Sequence, residues 1–590
     1  MISEDPLRTV LYIDLSKRSF WTEDRRDLFE QYIGGTGVAI NLLQKECRQN
    51  ANPLGPDNPI IFAVGPLTGV FPLASKTVAL FKSPLTGNLG ESHAGGRSAT
   101  AIRMAGYGAI VIKGASETPV YLVIDSDKVH FKDASALWGL KSSFTVGRII
   151  REQEDGAGLR TIMRIGGAGE KMVSYACVIT ETYRHFGRLG LGAVFGSKKL
   201  KAISVSGRRR IKVENPKTYR ELYKEVFNRT VKSPAMKKYH DLGTAVNISP
   251  LNELKALPTE NLKQNSFDQA GGISGESIAE KYLGRRVACS HCPVSCIHLA
   301  TYREPYASEP YFYKTTMVGY DYELIYSFGT MLKISSPEGL LKILDEVEKY
   351  GLDVMSTGVA LAWATEAQER NLIPSEGDVN GAKLRLQWGD YDTYIKAIEY
   401  LTDQPNDFYK ALARGVSYAS SKYGGSEFAL SFGGNEMPGY HTGPAAHIGH
   451  LIGSRHSHLD GAGYSIDQQN LKEPGKSTPE NIAKALIDEE KWRQILSSLT
   501  ICFFARGIYD IDTVLKTLSV LGYKLTKDDL TRIGSEILRE KYQFKIREGF
   551  NPRNITIPKR ILETPSPHGV ISEDTIRKGV ESATDLLEKL

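Results

Sequence analysis

Three cysteines fall within eight residues, Cys289-Ser290-His291-Cys292-Pro293-Val294-Ser295-Cys296. Thiolates this close on one loop either hold metal or pair as disulfides. The chain has only six cysteines in 590 residues, the others being Cys47, Cys177 and Cys502. That usage is far too sparse for a secreted disulfide scaffold. Structural zinc sites more often draw on two separated CxxC or HxxxH pairs. No second pair exists here, although His291 or His298 can complete a zinc set. A bacterial ferredoxin run needs another adjacent cysteine. Three local cysteines plus a distant fourth fit one [4Fe–4S] cluster, with zinc and no metal as the remaining readings. Cys502, in LTICFFARG, is the natural fourth ligand. Cys47 lies in a helix-like segment, and Cys177, in VSYACVI, reads as a buried strand residue.

Other residues carry chemistry only in context. His441, His447, His450, His456 and His458 crowd into 18 residues. Such a cluster is a metal site, an acid–base site, or a set of solvated loop histidines. The run GRLGLGAVFGSKKLKAISVSG (187–207) is glycine-rich, but its obvious strand follows the glycines. A dinucleotide fingerprint needs the strand before them. The glycines still expose N–H groups, and Arg188 with nearby lysines can hold phosphate. An ordinary turn before a strand is the plainer reading. Glu323, in GYDYEL, is one acid among 68 and says nothing alone.

The elements that must position these residues change character along the chain. TVLYIDLS, IIFAVG, TVALFK, AIVIKG, VYLVID and KAISVSG are short, β-branched runs bounded by Gly, Pro, Asp or Ser. They predict an antiparallel β domain rather than a repeating βαβ array. Past residue 210 helical spacing dominates: 339–371 with an interruption at Gly351, then 391–420, 480–500 and 511–548. Residues 429–470 read as loop. The fold class is α+β, with an N-terminal antiparallel β domain (1–210) and two mainly helical domains (211–425 and 426–590). At about 100–200 residues per domain the length agrees with about three. The net charge is +6, with Lys and Arg scattered between Asp and Glu. That speaks against nucleic-acid binding, while a weakly basic face can attract an acidic protein partner. The start, MISEDPLRT, lacks an apolar signal core, and no apolar run reaches about 18 residues. The expectation is a cytoplasmic protein without a transmembrane segment.

Together these pieces resemble the aldehyde:ferredoxin oxidoreductase family of tungsten–pterin enzymes. The resemblance is carried by YIGGTGVAI (32–40), VGPLTG (64–69), KSPLTG (82–87), AGYGAIVIKG (105–114), IGGAGE (165–170) and GRLGLGAVFGSKKLKAI (187–203). It continues through LGTA (242–245), CSHCPVSC, YGLDVMSTG (350–358) and Cys502. It implies a tungsten (or molybdenum) bis-pterin at the domain junction, a nearby [4Fe–4S] cluster, and Mg2+ bridging the pterin phosphates. It implies Cys289, Cys292, Cys296 and Cys502 as cluster ligands, and Glu323 and His458 beside the metal. Arg188, Leu189, Gly190 and Gly192 match the pterin-phosphate segment. Ala94, Gly95 and Gly96, preceded by His93, match a second pterin-contacting turn. Glu348 and Asp353 match the first DxxGLD-type motif.

This sequence departs from the family at several points. Lys76 stands for an arginine that links pterin and cluster, keeping the charge but losing the fork. His93 stands for an asparagine. The second DxxGLD motif is reduced to Ser497-Ser498-Leu499-Thr500-Ile501-Cys502, and Asp460 replaces a lysine. Lys342-Ile343-Leu344-Asp345 replaces the E-x-x-H of a subunit-bridging iron, so no such iron is expected. The implied reaction is reversible oxidation of an aldehyde to a carboxylic acid, with electrons passing to ferredoxin or an iron–sulfur subunit of a homo- or hetero-oligomer. The changes at Asp460 and Ser497 motivate a second reading, an acyl-CoA or aromatic thioester as substrate. A zinc-stabilised binding protein is the reading outside enzymes.

Overall fold

The computed structural model describes residues 5–156, 159–181, 183–306, 308–309, 311–373, 384–473 and 477–590. All six β-branched runs form strands, and they fall into two six-stranded sheets. In the first sheet the spatial order is Ser19–Asp24, Thr9–Asp14, Ala109–Lys113, Ile60–Ala63, Thr77–Lys82, Leu89–Ala94. In the second it is His185–Phe186, Val178–Ile179, Leu159–Arg164, Leu200–Gly207, Val120–Asp125, Lys128–Asp133. Neither sheet is purely antiparallel as the sequence predicts. Thr9–Asp14 runs parallel to Ala109–Lys113, and Leu200–Gly207 parallel to Val120–Asp125. Parallel neighbours need a long crossover, so their pairing leaves no local hairpin signal to read. The central strands Ile60–Ala63, Thr77–Lys82 and Leu200–Gly207 are buried throughout, as covered sheets require. Helix Gly35–Glu46 covers the first sheet, and helix Ser98–Ala105 packs on the second. The edge strands Leu89–Ala94 and His185–Phe186 touch each other. Residues of both edges line the cavity described below.

The remainder is mainly helical, with two small sheets, the lesser being the pair Ser431–Phe432 and Asn435–Glu436. A three-stranded antiparallel sheet, Leu283–Val287, Ile297–Pro305 and Tyr313–Tyr320, stands among the helices. The cysteine loop is the connection between its first two strands, and Glu323 follows its third. At the predicted interruption, helix Pro337–Tyr350 ends on Gly351 at φ +75°, a left-handed closure suited to glycine. Asp353 then caps helix Val354–Glu369 by accepting from the Met355 and Ser356 amides. Residues 429–470 are not a loop: they hold helices Pro444–Ile452 and Gly463–Lys472. Their glycines serve close packing. A Cβ on Gly463 would stand 2.1 Å from the Ala445 carbonyl oxygen. Helix Pro479–Ser498 gives Ile482 and Leu486 to the core of the helical region, and Ile495 and Leu496 to the core around the first sheet. It is a strut shared by both. Among the described residues no helix is long and apolar enough to cross a membrane.

Candidate active site

A cavity of about 720 Å³ opens where the sheet edges, the small sheet and the helical region meet. That volume suits a substantial organic cofactor. Twelve of the seventeen residues singled out in the sequence line it: Cys289, Cys292, Cys296, Cys502, Glu323, His458, Lys76, His93, Arg188, Leu189, Glu348 and Asp353. Ala94, Gly95, Gly96, Gly190 and Gly192 are not on its wall.

The four cysteines are free and half-buried. Backbone bonds tie their segments together. Cys502 N donates to Leu73 O (2.9 Å), Leu73 N to His291 O (3.2 Å), and Ser290 N to Gly96 O (2.8 Å). The loop holds His291 and Ser295 at φ +57° and +54°, a conformation that neighbouring contacts must enforce. His240 Nδ1 lies 2.8 Å from Val294 O. Both ring nitrogens of His298 face carbonyls, those of Cys296 and His240, so His298 braces the loop rather than offering a ligand. A Cβ on Gly95 would come within 2.9 Å of Cys289 Sγ and 3.4 Å of Lys76 Nζ, so only glycine lets this turn approach the thiols. Burial pushes the Cys296 thiol up to about 11, with Cys502 and Cys289 adding to it and Arg184 opposing. Among the described residues no three His, Cys, Asp or Glu side chains converge on a point suited to one metal ion.

Arg184 escaped the sequence reading. Burial works against its charge, but Cys296, Cys289, Asp321 and Cys502 outweigh it and hold the guanidinium above its ordinary value. Its Nη1 lies 3.9 Å from Asp321 Oδ2. No motif marks it. The nearest signal is its place four residues before Arg188.

Also on the cavity wall, His458 Nε2 stands 3.3 Å from Glu323 Oε1, and the Tyr440 hydroxyl donates to the same oxygen at 3.1 Å. Burial works to raise Glu323, yet the bond and charge of His458 and the bond from Tyr440 hold it below its usual value. Asp321, two residues earlier, moves the other way. Burial and then the charge of Glu323 raise it to about 6, against Arg184. Two neighbouring carboxyls with opposed shifts mark an acid–base site. Asp321 and Tyr440 carried no sequence signal.

Arg188 donates from Nε to Asp353 Oδ2 (3.2 Å) and from Nη2 to Glu436 O (2.7 Å). Its Nη1 is buried without a partner, as is Nη2 of Arg493, which also lines the cavity. Glu348 holds His185 at 2.9 Å. His93 Nε2 lies 2.7 Å from Glu91 Oε1, and Glu91 also pairs with Lys541. Burial still keeps His93 down to about 4. The glycines after Arg188 serve packing. A Cβ on Gly190 would meet Ser174 O at 2.1 Å, and the Gly192 N–H is taken by Ala176 O. Unpartnered buried guanidinium donors beside Lys76 and Arg184 fit an anionic, phosphate-bearing cofactor.

The remaining histidines overturn the solvated-loop reading. His441, His447, His450 and His456 are all buried, on or beside helix Pro444–Ile452. Asp460 accepts from Arg455 Nε (2.7 Å) and from the Arg455 and Ser457 amides, bracing the turn that carries His458. Neither Asp460 nor Ser497 lines the cavity.

Comparison with known proteins bears on the family and the fold. The aldehyde ferredoxin oxidoreductase N-terminal domain matches residues 10–207, and domains 2 and 3 of that family match residues 221–587. A tungsten-containing aldehyde ferredoxin oxidoreductase of Thermococcus kodakarensis is 33% identical, covering 92% of this chain and 89% of the relative. The WOR-like subunit of an aliphatic sulfonate oxidoreductase from Pyrococcus furiosus is 29% identical over 70% of this chain and 66% of its own length. The fold is shared with the active-site complex BamBC of benzoyl coenzyme A reductase, at a TM-score of 0.81 and 21% identity, covering 98% of this chain and 94% of that one.

Proposed function

Because the chain belongs to the aldehyde ferredoxin oxidoreductase family, we infer that it is a tungstopterin oxidoreductase that converts aldehydes to carboxylic acids. Its electrons pass through a [4Fe–4S] cluster to ferredoxin or an iron–sulfur partner subunit. The observation that supports this reading is one cavity lined by both the Glu323–His458–Tyr440 group and the four cysteines.

Cys289, Cys292, Cys296 and Cys502 would hold the cluster, with Arg184 and Lys76 balancing its negative charge. Arg188, Arg493 and Lys76 would hold the pterin phosphates together with Mg2+, and Asp353 fixes Arg188 for that task. When bound, the metal–pterin group supplies the two-electron redox chemistry and polarises the carbonyl. Glu323, ionised near neutrality, accepts a proton from water or the aldehyde hydrate. Tyr440 and His458 fix the Glu323 carboxylate, and His458 offers a hydrogen bond to the oxygen on which charge develops. The Tyr440 ring lies 5.0 Å from that of His458 and 4.8 Å from that of Tyr464, and these rings give the cavity wall beside Glu323 an aromatic surface.

The test is metal analysis with turnover. The expected result is about four iron atoms and one tungsten per chain, with aldehyde-dependent reduction of a viologen dye. Metal-loaded protein that oxidises no aliphatic or aromatic aldehyde overturns the reading.

A further inference from the structure

The positive charge of the chain is concentrated in one segment. Residues 208–240 hold eleven Lys and Arg against three acids, Glu214, Glu221 and Glu225. That excess of eight is larger than the net charge of +6 on the whole chain, so the rest is net acidic. All eleven cations except Arg229 are exposed. Along helix Pro216–Lys232, Lys217, Arg220 and Lys224 stand three and four residues apart, so they share one outward stripe. The rings of that helix turn the other way. Tyr219 donates to Val70 O (2.7 Å) and packs edge-on against Phe71, and Tyr223 packs on the same core.

This segment lies against the cysteine loop at several points. Val70 leads to Leu73, whose N–H binds His291 O. Tyr239 stacks at 4.0 Å on Phe504, two residues past Cys502, and His240 Nδ1 lies 2.8 Å from Val294 O. Arg286, exposed on strand Leu283–Val287 that enters the cysteine loop, donates to the carbonyls of His240 (3.0 Å) and Asp241 (3.3 Å). Asp241 is the nearby acid, and Lys237 pairs with it at 2.5 Å. His291 itself, between Cys289 and Cys292, is exposed, so the thiol loop reaches the surface beside these cations. We propose that the basic face formed by residues 208–240 and Arg286 is the docking surface for an acidic, one-electron iron–sulfur carrier protein. This rests on the oxidoreductase reading. An aldehyde and one water yield the acid, two protons and two electrons, and two oxidised carriers each take up one of those electrons. A carrier must therefore arrive and leave twice in each turnover. Complementary charge gives fast, reversible encounters, whereas a broad apolar face gives lasting ones. Among the described residues of this segment Val231 alone exposes a large apolar side chain. A single-stranded nucleic acid is met by exposed stacking rings, and no Tyr or Phe of this segment is exposed.

The test uses the full chain loaded with its cofactors, a small acidic [4Fe–4S] ferredoxin as probe, and a variant carrying Lys217→Glu, Lys224→Glu and Lys232→Glu. In low salt the variant is expected to raise the KM for ferredoxin about tenfold, while reduction of methyl viologen and the melting temperature stay unchanged. Ferredoxin binding by calorimetry, which needs no turnover, should weaken to match, and wild-type binding should fall steeply as salt rises. A variant with wild-type KM and affinity overturns the docking face, as does wild-type binding that ignores salt. Tighter binding of RNA or of anionic lipid vesicles than of ferredoxin, lost in the variant, also overturns it. Wild-type protein that binds ferredoxin through these lysines yet oxidises no aldehyde upholds the docking face and overturns the aldehyde reaction instead.

Discussion

Glu323 shows how one residue becomes functional only through its neighbours. In the sequence it is an unmarked acid. In the fold it shares an oxygen with His458 and Tyr440, and their contacts overcome the upward push of burial. A carboxylate kept ionised on a cavity wall is a ready proton acceptor. Glu323→Gln keeps the shape and both hydrogen-bonding positions but removes the basic oxygen. Its kcat is expected to fall by roughly 100–10,000-fold with an unchanged melting temperature, measured by aldehyde-dependent dye reduction and calorimetry. The cysteines were legible beforehand because three thiols crowd onto one loop of a chain with few others. Asp321, Arg184 and Tyr440 were not, because their roles arise from segments far apart in sequence that meet at one cavity.

At the scale of elements, the break between helices Pro337–Tyr350 and Val354–Glu369 places Asp353 beside Arg188. The glycine and the capping aspartate make this break readable from sequence, and the structure adds what the cap is for. Gly351→Ala forces a side chain into φ +75° and brings its Cβ to 3.1 Å from Gly166 N. It is expected to cost roughly 1–2 kcal/mol, read as a lower urea midpoint at unchanged slope. Helices Pro444–Ile452 and Gly463–Lys472 were misread as loop for a physical reason. Glycines that admit a crossing backbone look, in composition, the same as glycines that turn a loop. The parallel strand pairs were hidden likewise, since register between distant strands leaves no local pattern.

At the scale of the molecule, many imidazoles are buried in their neutral form. Burial holds His93 and His441 down to about 4 and His450 and His456 to about 3, and pushes His447 far down as well. In the unfolded chain they take up protons near their usual value of about 6.5. As pH falls below that value the unfolded state gains protons that the folded state refuses, so stability is lost. Asp321 and Asp467, raised to about 6, and Glu490, raised to about 7, act in the opposite direction but are fewer. The melting temperature is therefore expected to be lower at pH 5.5 than at pH 7.5, by scanning calorimetry in matched ionic strength. Cys502→Ser separates two further contributions. The backbone bond from Cys502 to Leu73 survives the change, so cluster-free protein should melt as the wild type does. Iron-loaded protein should lose iron and stability, and full iron content in the variant would show that another residue closes the set. The bond from Cys502 to Leu73, and from Leu73 to the cysteine loop, also sets an order of manufacture. Three of the four thiols leave the ribosome long before the fourth, and the anchoring segment at Leu73 precedes them all. The four-thiol corner of the cavity is therefore finished only when the last third of the chain has been made, and a cluster held there, as proposed above, would have to reach a nearly complete polypeptide.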